Sequence, residues 1–564
     1  MATVKRITGK DMAAGEYLER LEDMAESRKR WEGLWEETTK LVLPRRSVWD
    51  FDPNSKAGDN LAEDIFDGTA PVDLQLMADG FQGYVAGPAI RWFKLQLTNE
   101  EQMGIPGVRD WLEADERTLY AIFQRSRFYE SVAELFTDGG CIGNAHMGTE
   151  LDLDSRTVLF NTRHPKEVYI AEGKGSRIIL RARRFFLTGY AALDEYSEDD
   201  LPQSLREDME KRPQEHYEFV HFVHKRDVKV IDSPLNIHMP YASVHIAKDD
   251  GSIIRESGFR SDPELTWRWQ KNSDEEYGRG PGTNAISIIK RVNQMAKAQT
   301  AMGQRAAQPP WAASENLKGK VNLKPNGITW FQNSTQRLEA MRVGDKWPIG
   351  DAVLEEARDV IDDFFYTDFF VMLKRAEREM TAREVIERQG EKAAILGSVI
   401  GRLTSEFLRP LIDRVFLIAS EAGWLPPPPP ALLRQPSKLE VEFIGPLAAA
   451  QKRFTDTQGV NAAIGAIGGL AQIVGPQVLD NFDMDEIAKL TATLEGLPQK
   501  VIREQPDIDK IRQQRARAQQ EQQQAEILKT ASEAVPNLSQ APEEGSVINE
   551  LQKQNQTSLP VPGR

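Results

Sequence analysis

Between residues 350 and 370 the chain runs GDAVLEEARDVIDDFFYTDFF, and helical spacing sorts that stretch into two faces. Val353, Ala357, Val360, Ile361 and Phe364 make an apolar stripe, whereas Glu355, Glu356, Asp359, Asp362 and Asp363 make an acidic one. The second helix of the pair comes earlier, at 284–306, opened by the turn YGRGPG and stopped by QPPW at 308–311. Turns and short strands, KVNLKPNGITWFQN, lie between them. The chain must therefore build helix, small β module and helix, a hairpin too thin to bury its apolar stripe alone.

The remaining elements follow from periodicity. Tyr17, Leu21, Met24, Trp31 and Trp35 predict a long first helix to Val42, closed by LVLP. A second helix is expected over roughly 61–85 and a third near 109–137, stopping at the glycines of DGGCIGN. Between them VAGPAIRWFKL breaks at Gly87 and Pro88 and enters a core as a strand through Trp92, Phe93 and Leu95. VLFNTR, EVYIAEG and RIILRARRFFLT read as a β-meander, which a polar helical insert at about 190–213 interrupts before HYEFVHFVHKRD and the strands up to TWRWQ resume it. From 381 to 422 a long helix carries Leu396, Ile400, Leu403, Phe407, Leu411, Val415 and Ile418 on one stripe, with a kink at Pro410 and a C-terminal cap at Gly423. The prolines of GWLPPPPPALL make a stiff spacer into the strand KLEVEFIG. The expected class is α+β, predominantly helical.

Further on, VNAAIGAIGGLAQIVGPQVL (460–479) approaches membrane length, but Asn461, Gln472, Gln477 and its glycines dilute it and no basic flank anchors it. It reads as a buried helix pair. A Gln- and Arg-rich helix over 507–533 has hardly any apolar stripe and suggests packing against copies of itself, and the last thirty or so residues are expected to be disordered. At 564 residues the chain is long enough for about two to four units.

Composition narrows the function. A formal charge of −15 argues against tight nonspecific nucleic-acid binding, though not against loose passage of DNA past an acidic wall. The single cysteine, Cys141, excludes an internal disulfide and a thiolate zinc cluster, and a reducing compartment fits. The N-terminus lacks the apolar core of a secretory signal. His216 and His224 share one face of a strand and His221 the other, so the three do not converge on a metal. GRGPG at 278–282 and GKGS at 173–176 resemble phosphate loops without completing GxxxxGK[ST], and nucleophile-elbow, zincin and kinase signatures are missing. In MTAREVIERQGEK (380–392) Glu384, Glu387 and Glu391 share a helix face, but Arg383 and Arg388 neutralise them at i,i+4 spacing and no Glu-x-x-His accompanies them. No catalytic residue, metal site or cofactor is expected.

RWEGLWEETTKLVLPRR, the helix ending in GPAIRWFKL, WRWQKNSDEEYGRGPG, MTAREVIERQGEK and LTSEFLRPLIDRVFLIASEAGWLPPPP, taken in order from about 25 to 520, resemble the portal or head-to-tail connector proteins of short-tailed, podovirus-type bacteriophages. The resemblance implies a homo-oligomeric ring, a dodecamer, at one capsid vertex of the virion, assembled in the host cytoplasm and passing double-stranded DNA without sequence specificity. It implies terminase large subunit, head-tail adaptor and tail proteins, and major capsid and scaffolding proteins as partners, no membrane, and no enzymatic activity. It also implies a portal fold with wing, stem helix pair, small β-containing clip and helical crown. These map to a wing over 1–270, stem helices at 271–306 and 349–370, and a clip at 307–348. A tunnel loop follows at 371–383, the long kinked helix and return strand of the wing at 384–445, the crown and C-terminal helical barrel at 446–534, and the disordered tail at 535–564.

On that mapping Lys374, Arg375, Arg378 and Arg383 either touch passing DNA or form salt bridges with Glu377, Glu379 and Glu384. Glu355, Asp359, Asp362 and Asp363 line the channel or face solvent outside the ring, the first arrangement repelling phosphates and keeping motion easy. Trp311, Trp330 and Phe331 either contact partners or fill the clip's own core. The rival readings are a metal-dependent nuclease using Glu384, Glu387 and Glu391, and a helical structural scaffold protein.

Overall fold

In the computed structural model, which describes residues 13–51, 59–226, 236–308, 348–371, 396–434 and 438–446 together with isolated positions elsewhere, α1 spans Ala14–Val42. Its apolar stripe docks on a sheet: Tyr17, Leu21 and Met24 are buried against Phe222, Val244 and Ile246. Arg28 on the same face is fully buried, and donates to the carbonyls of Val168 (2.8 Å), Lys166 (2.7 Å) and Pro165 (3.2 Å) while its guanidinium lies 3.5 Å above the Tyr169 ring. A buried cation is tolerable only with this degree of satisfaction.

The second helix, α2 (Thr69–Val85), begins later than its periodicity predicts, because residues 61–64 form a turn and 65–68 an irregular segment held by Asn293, whose Oδ1 accepts from Phe66 N at 2.7 Å. The predicted third helix is two, α3 (Val108–Arg125) and α4 (Phe128–Ile142), broken at Ser126 and Arg127. Gly139 and Gly140 do not end α4; they lie inside it, where a Cβ would meet Trp267 at 2.4 Å or Met77 at 2.0 Å. They are close-packing glycines, and Gly143, with φ +87°, is the terminator.

Strands follow at β1 (Phe93–Leu97), β2 (Asn144–Asp152), β3 (Thr157–Arg163), β4 (Val168–Glu172), β5 (Ile178–Thr188), β6 (His216–Lys225), β7 (Tyr241–Ala247), β8 (Ser252–Phe259) and β9 (Glu264–Arg268); β1 alternates between buried and half-buried residues, whereas β9 is buried throughout. Strands β4 to β8 form one antiparallel meander in sequence order, and a second sheet has the order β3-β2-β9. Two short helices, α5 (Gly189–Glu195) and α6 (Gln203–Lys211), occupy the polar insert between β5 and β6. Phe81, Phe123, Phe136, Trp92 and Trp267 are fully buried in the core that joins the helices to the smaller sheet.

The hairpin helices are α7 (Pro281–Ala307), with proline in its first turn, and α8 (Pro348–Phe364). Between them the described residues include only the strand pair β10 (Trp311–Ala313) and β11 (Leu338–Ala340) and single positions. The long helix is described from Gly397 as α9 (Gly397–Leu403), one π turn (Thr404–Leu408) and α10 (Arg409–Glu421). All seven residues of its predicted stripe are buried. Pro410 opens α10, and the wide turn before it accommodates a ring that would otherwise clash with the Glu406 carbonyl four residues back. Gly423 (φ +70°) caps the helix as expected. The proline run leads into a further short helix, Pro430–Arg434, before β12 (Leu439–Phe443) pairs antiparallel with β1.

Residues to Thr455 form one compact unit and 456–564 a second, of which scattered positions alone are described. The apolar run at 460–479, most of the Gln-rich helix and the tail lie outside the described residues. Within the first unit Gly143 is a tight backbone junction, since a Cβ there would sit 2.3 Å from the backbone of Arg279 and Gly280. Gly143→Ala should cost about 2–4 kcal/mol, from αL strain plus overpacking, read as a lowered denaturant midpoint without a change in slope.

Candidate functional site

Two clusters concern function: a buried ionic hub at the end of β9, and the acidic face of α8. In the hub Arg268, 1% exposed, directs every guanidinium nitrogen at a partner. Its Nε donates to Glu406 Oε2 at 3.2 Å and its Nη2 to Glu406 Oε1 at 2.6 Å, while Nη1 pairs with Glu172 and with the Glu276 carbonyl at 2.9 Å. Nη2 also reaches the Ser176 carbonyl at 2.9 Å. Burial opposes the charge, but the carboxylates of Glu406 and Glu172 outweigh it and hold Arg268 above its ordinary pKa. Arg402, one helical turn before Glu406, and Lys271 complete a network of alternating sign. The hub ties three chain segments, around 172, 268 and 406, at one point.

On α8 the apolar stripe is rotated from the predicted one. Leu354, Ala357, Ile361 and Phe365 are buried, whereas Val353 is 39% exposed and Val360 and Phe364 are half-buried. The shift arises because α8 packs on α2 as well as α7, with Phe370 beyond it lying against Phe81 and against Gly80, where even a Cβ would clash. Glu355, Asp359 and Asp363 are exposed, and Glu355 pairs with Arg358 at 2.6 Å. Arg358 also clamps Asp67 at 2.7 Å, and although burial alone would raise Asp67, the bonds from Thr69 and Arg358 keep it below the usual carboxylate range.

Asp362 departs from the acidic face. It is half-buried and lies against Asp73 of α2, a 5%-exposed carboxyl pushed well above its ordinary range, first by burial and then by the facing Asp362. Burial and the facing carboxyl thus favour the protonated form of Asp73.

Trp311 is 44% exposed at the start of β10, opposite Ala340. Lys374, Arg375, Arg378 and Arg383, as well as Trp330, Phe331, Glu384, Glu387 and Glu391, lie outside the described residues. The histidines stay apart from chemistry: His221 bonds Ser243 (2.9 Å) and stacks on His245 at 4.0 Å, His224 bonds the Tyr17 hydroxyl (3.0 Å), and His146 bonds Thr266 (3.0 Å). Burial pushes His146 and His245 down to about 3, so both are neutral supports of the sheets. Among the described residues no group of three or more metal-ligating side chains converges, and no helix is long and apolar enough to cross a membrane. Sequence reasoning missed both the Arg268 hub and the Asp73–Asp362 pair. The one signal in the sequence was an arginine flanked by tryptophans in WRW, a strand whose alternation places Arg268 on a face that is buried.

Residues 14–502 match the family model described as bacteriophage head to tail connecting protein. The match covers most of the chain, which therefore belongs to that family. Among its relatives are the portal protein of Salmonella phage epsilon15, 29% identical over 537 residues (93% of this chain, 95% of the relative), and the probable portal protein of Bordetella phage BPP-1, 28% identical over 531 residues (92% and 94%).

Arg268→Leu leaves the partly buried Glu172 and Glu406 with Lys271 and Arg402 as their remaining cations, and should destabilise the first unit by about 1.5–3 kcal/mol in denaturant titrations. The Asp73 pair predicts the opposite kind of effect. Because the folded-state pKa is raised, its contribution is fully present below the ordinary carboxylate pKa and is lost as pH rises through the raised value. Asp73→Asn should therefore match the parent's melting temperature near pH 4 and exceed it near pH 9, as read by calorimetry.

Proposed function

We propose that this head-to-tail connecting protein is the portal of its phage: a closed ring of copies, twelve by family resemblance, set at one capsid vertex as the conduit for double-stranded DNA. In this reading residues 1–270 with 384–445 are the wing, 271–306 and 349–370 the stem, 307–348 the clip, 371–383 the tunnel loop and 446–534 the crown, with 535–564 as the tail. The ring serves as the docking platform for the terminase large subunit and, after filling, for head-tail adaptor and tail proteins, and meets the capsid and scaffolding proteins around its rim. It assembles in the host cytoplasm and persists in the virion. The role is structural, with ATP hydrolysis residing in the terminase.

The observation that carries this reading is α8. One face is buried on α2 and α7, and the opposite one exposes Glu355, Asp359 and Asp363, while Val353 stays exposed beside them. A wall of carboxylates repels phosphates, so a duplex slides past it without adhering. Lys374, Arg375, Arg378 and Arg383 supply transient, sequence-independent backbone contacts in the loop, and Trp311, Trp330 and Phe331 in the clip supply partner contacts.

Electron microscopy of the purified protein should show rings with a central hole; monomers or closed particles would remove the portal reading. With Lys374, Arg375 and Arg378 all changed to Glu, rings should still form while packaged DNA per particle falls, and unchanged packaging would discard the loop assignment.

A further inference from the structure

A cleft of about 680 Å³ opens beside the Arg268 hub, between the β4–β5 turn, the end of β9 and the outer face of α9. A smaller cleft of about 350 Å³ shares Ser398 and Arg402 with it. In a chain of net charge −15, the larger cleft is lined by Arg177, Arg181, Arg268 and Arg402 against one carboxylate, Glu406.

The donors differ in what they have left to offer. Arg268 is consumed by the hub, and Arg181 gives Nε to Thr266 and Nη1 to Asp262. Arg402 gives one nitrogen to Glu406 at 2.9 Å. Arg177 is exposed, and its side chain has no ion pair or hydrogen bond among the described residues. Ser398, Arg402 and Ser405 are spaced at i, i+4 and i+7 and all line the cleft; the Ser405 hydroxyl donates to the Arg402 carbonyl at 3.2 Å and has to turn from it to reach a ligand.

The turn that carries Arg177 is set in advance. It is the GKGSR stretch, and both Gly175 (φ +74°) and Ser176 (φ +57°) adopt the left-handed region. Ser176 pays the steric cost of a non-glycine residue there, and is held by Arg268 on its carbonyl (2.9 Å) and by Lys271 on its hydroxyl (3.2 Å). The backbone at Arg177 is thus fixed at the rim, and the exposed guanidinium it carries is ordered only when a ligand engages it.

Two guanidiniums and two hydroxyls converging on one space suit a compact anion with several oxygens, and a tetrahedral phosphate accepts from all four more readily than a planar carboxylate does. We propose that this cleft is a phosphate-ester site, recognising either the phosphodiester backbone of nucleic acid or a free phosphate compound through Arg177, Arg402, Ser398 and Ser405. The proposal rests on the cleft wall and not on the portal reading, so each can fail without the other.

The test uses the full-length protein in its assembled form. Anisotropy of a fluorescein-labelled random-sequence duplex DNA at low salt, and calorimetry with sodium pyrophosphate, are compared for the parent, Arg177→Glu, Arg402→Gln and Ser398→Ala. Duplex binding that weakens about tenfold in Arg177→Glu, the loss of a charged hydrogen bond, and that pyrophosphate displaces, establishes the nucleic-acid source. Pyrophosphate binding with the same loss but no duplex binding establishes the free phosphate compound. The proposal is overturned where the parent binds neither probe, or where affinity is the same in all three variants. It is also overturned where Arg177→Glu keeps its affinity but no longer forms rings, since the cleft then meets a carboxylate of a second copy. Thermal melts of each variant guard against misfolding, and Ser398→Ala, an exposed hydroxyl deletion, keeps the test valid if an arginine variant does not fold.

Discussion

Arg268 sits where the chain can least afford an unpaired charge, and the first unit is organised around keeping it paired. Its two carboxylates come from far apart: Glu172 ends β4 and Glu406 stands in the π turn of the long helix. Neither is placed by its own element alone. The meander brings Glu172 to the edge of its sheet, and the widened turn before Pro410 rotates Glu406 toward β9. A regular α-helix through 404–408 would change the direction of every side chain after it by a residue's worth of turn. Removing either carboxylate would leave a buried cation short of partners, which explains how one arginine fixes the angle between sheet and helix.

Much of the architecture was legible because periodicity is a strong signal over long elements. The seven-residue stripe of the long helix is buried, as are Tyr17, Leu21, Met24 and Trp35 of the first helix, with Trp31 half-buried beside them. The misses share a cause. Gly139 and Gly140 look like helix stops in one dimension, yet they stay helical because Trp267 and Met77 need the space that a side chain would fill. The stripe of α8 turned because α2, not only α7, lies against it, and sequence spacing says nothing of how many neighbours a helix has. The ionic hub and the Asp73–Asp362 contact were illegible for the same reason: their members are joined only by tertiary structure.

Asp362 illustrates how a residue can belong to one face by spacing and to another by contact. Four of the five acids of the α8 stripe are solvated, but the fifth, Asp362, is drawn beneath the helix toward Asp73. The pair joins α8 to α2, and the Arg358–Asp67 clamp joins it to the segment just before α2. The acidic helix is therefore not a rod standing free of the unit, and its seat responds to the charge state of a buried acid.

The pairing of β1 with β12 has a consequence in time. Phe93 lies opposite Phe443, so the backbone donors and acceptors of β1 have no strand partner until nearly the whole first unit has left the ribosome. Sheet closure is a late event that certifies the full segment between those strands, including the hairpin and the long helix, as synthesised. A chain truncated anywhere before residue 439 presents an open strand edge instead of a finished unit, a template on which other chains can pair.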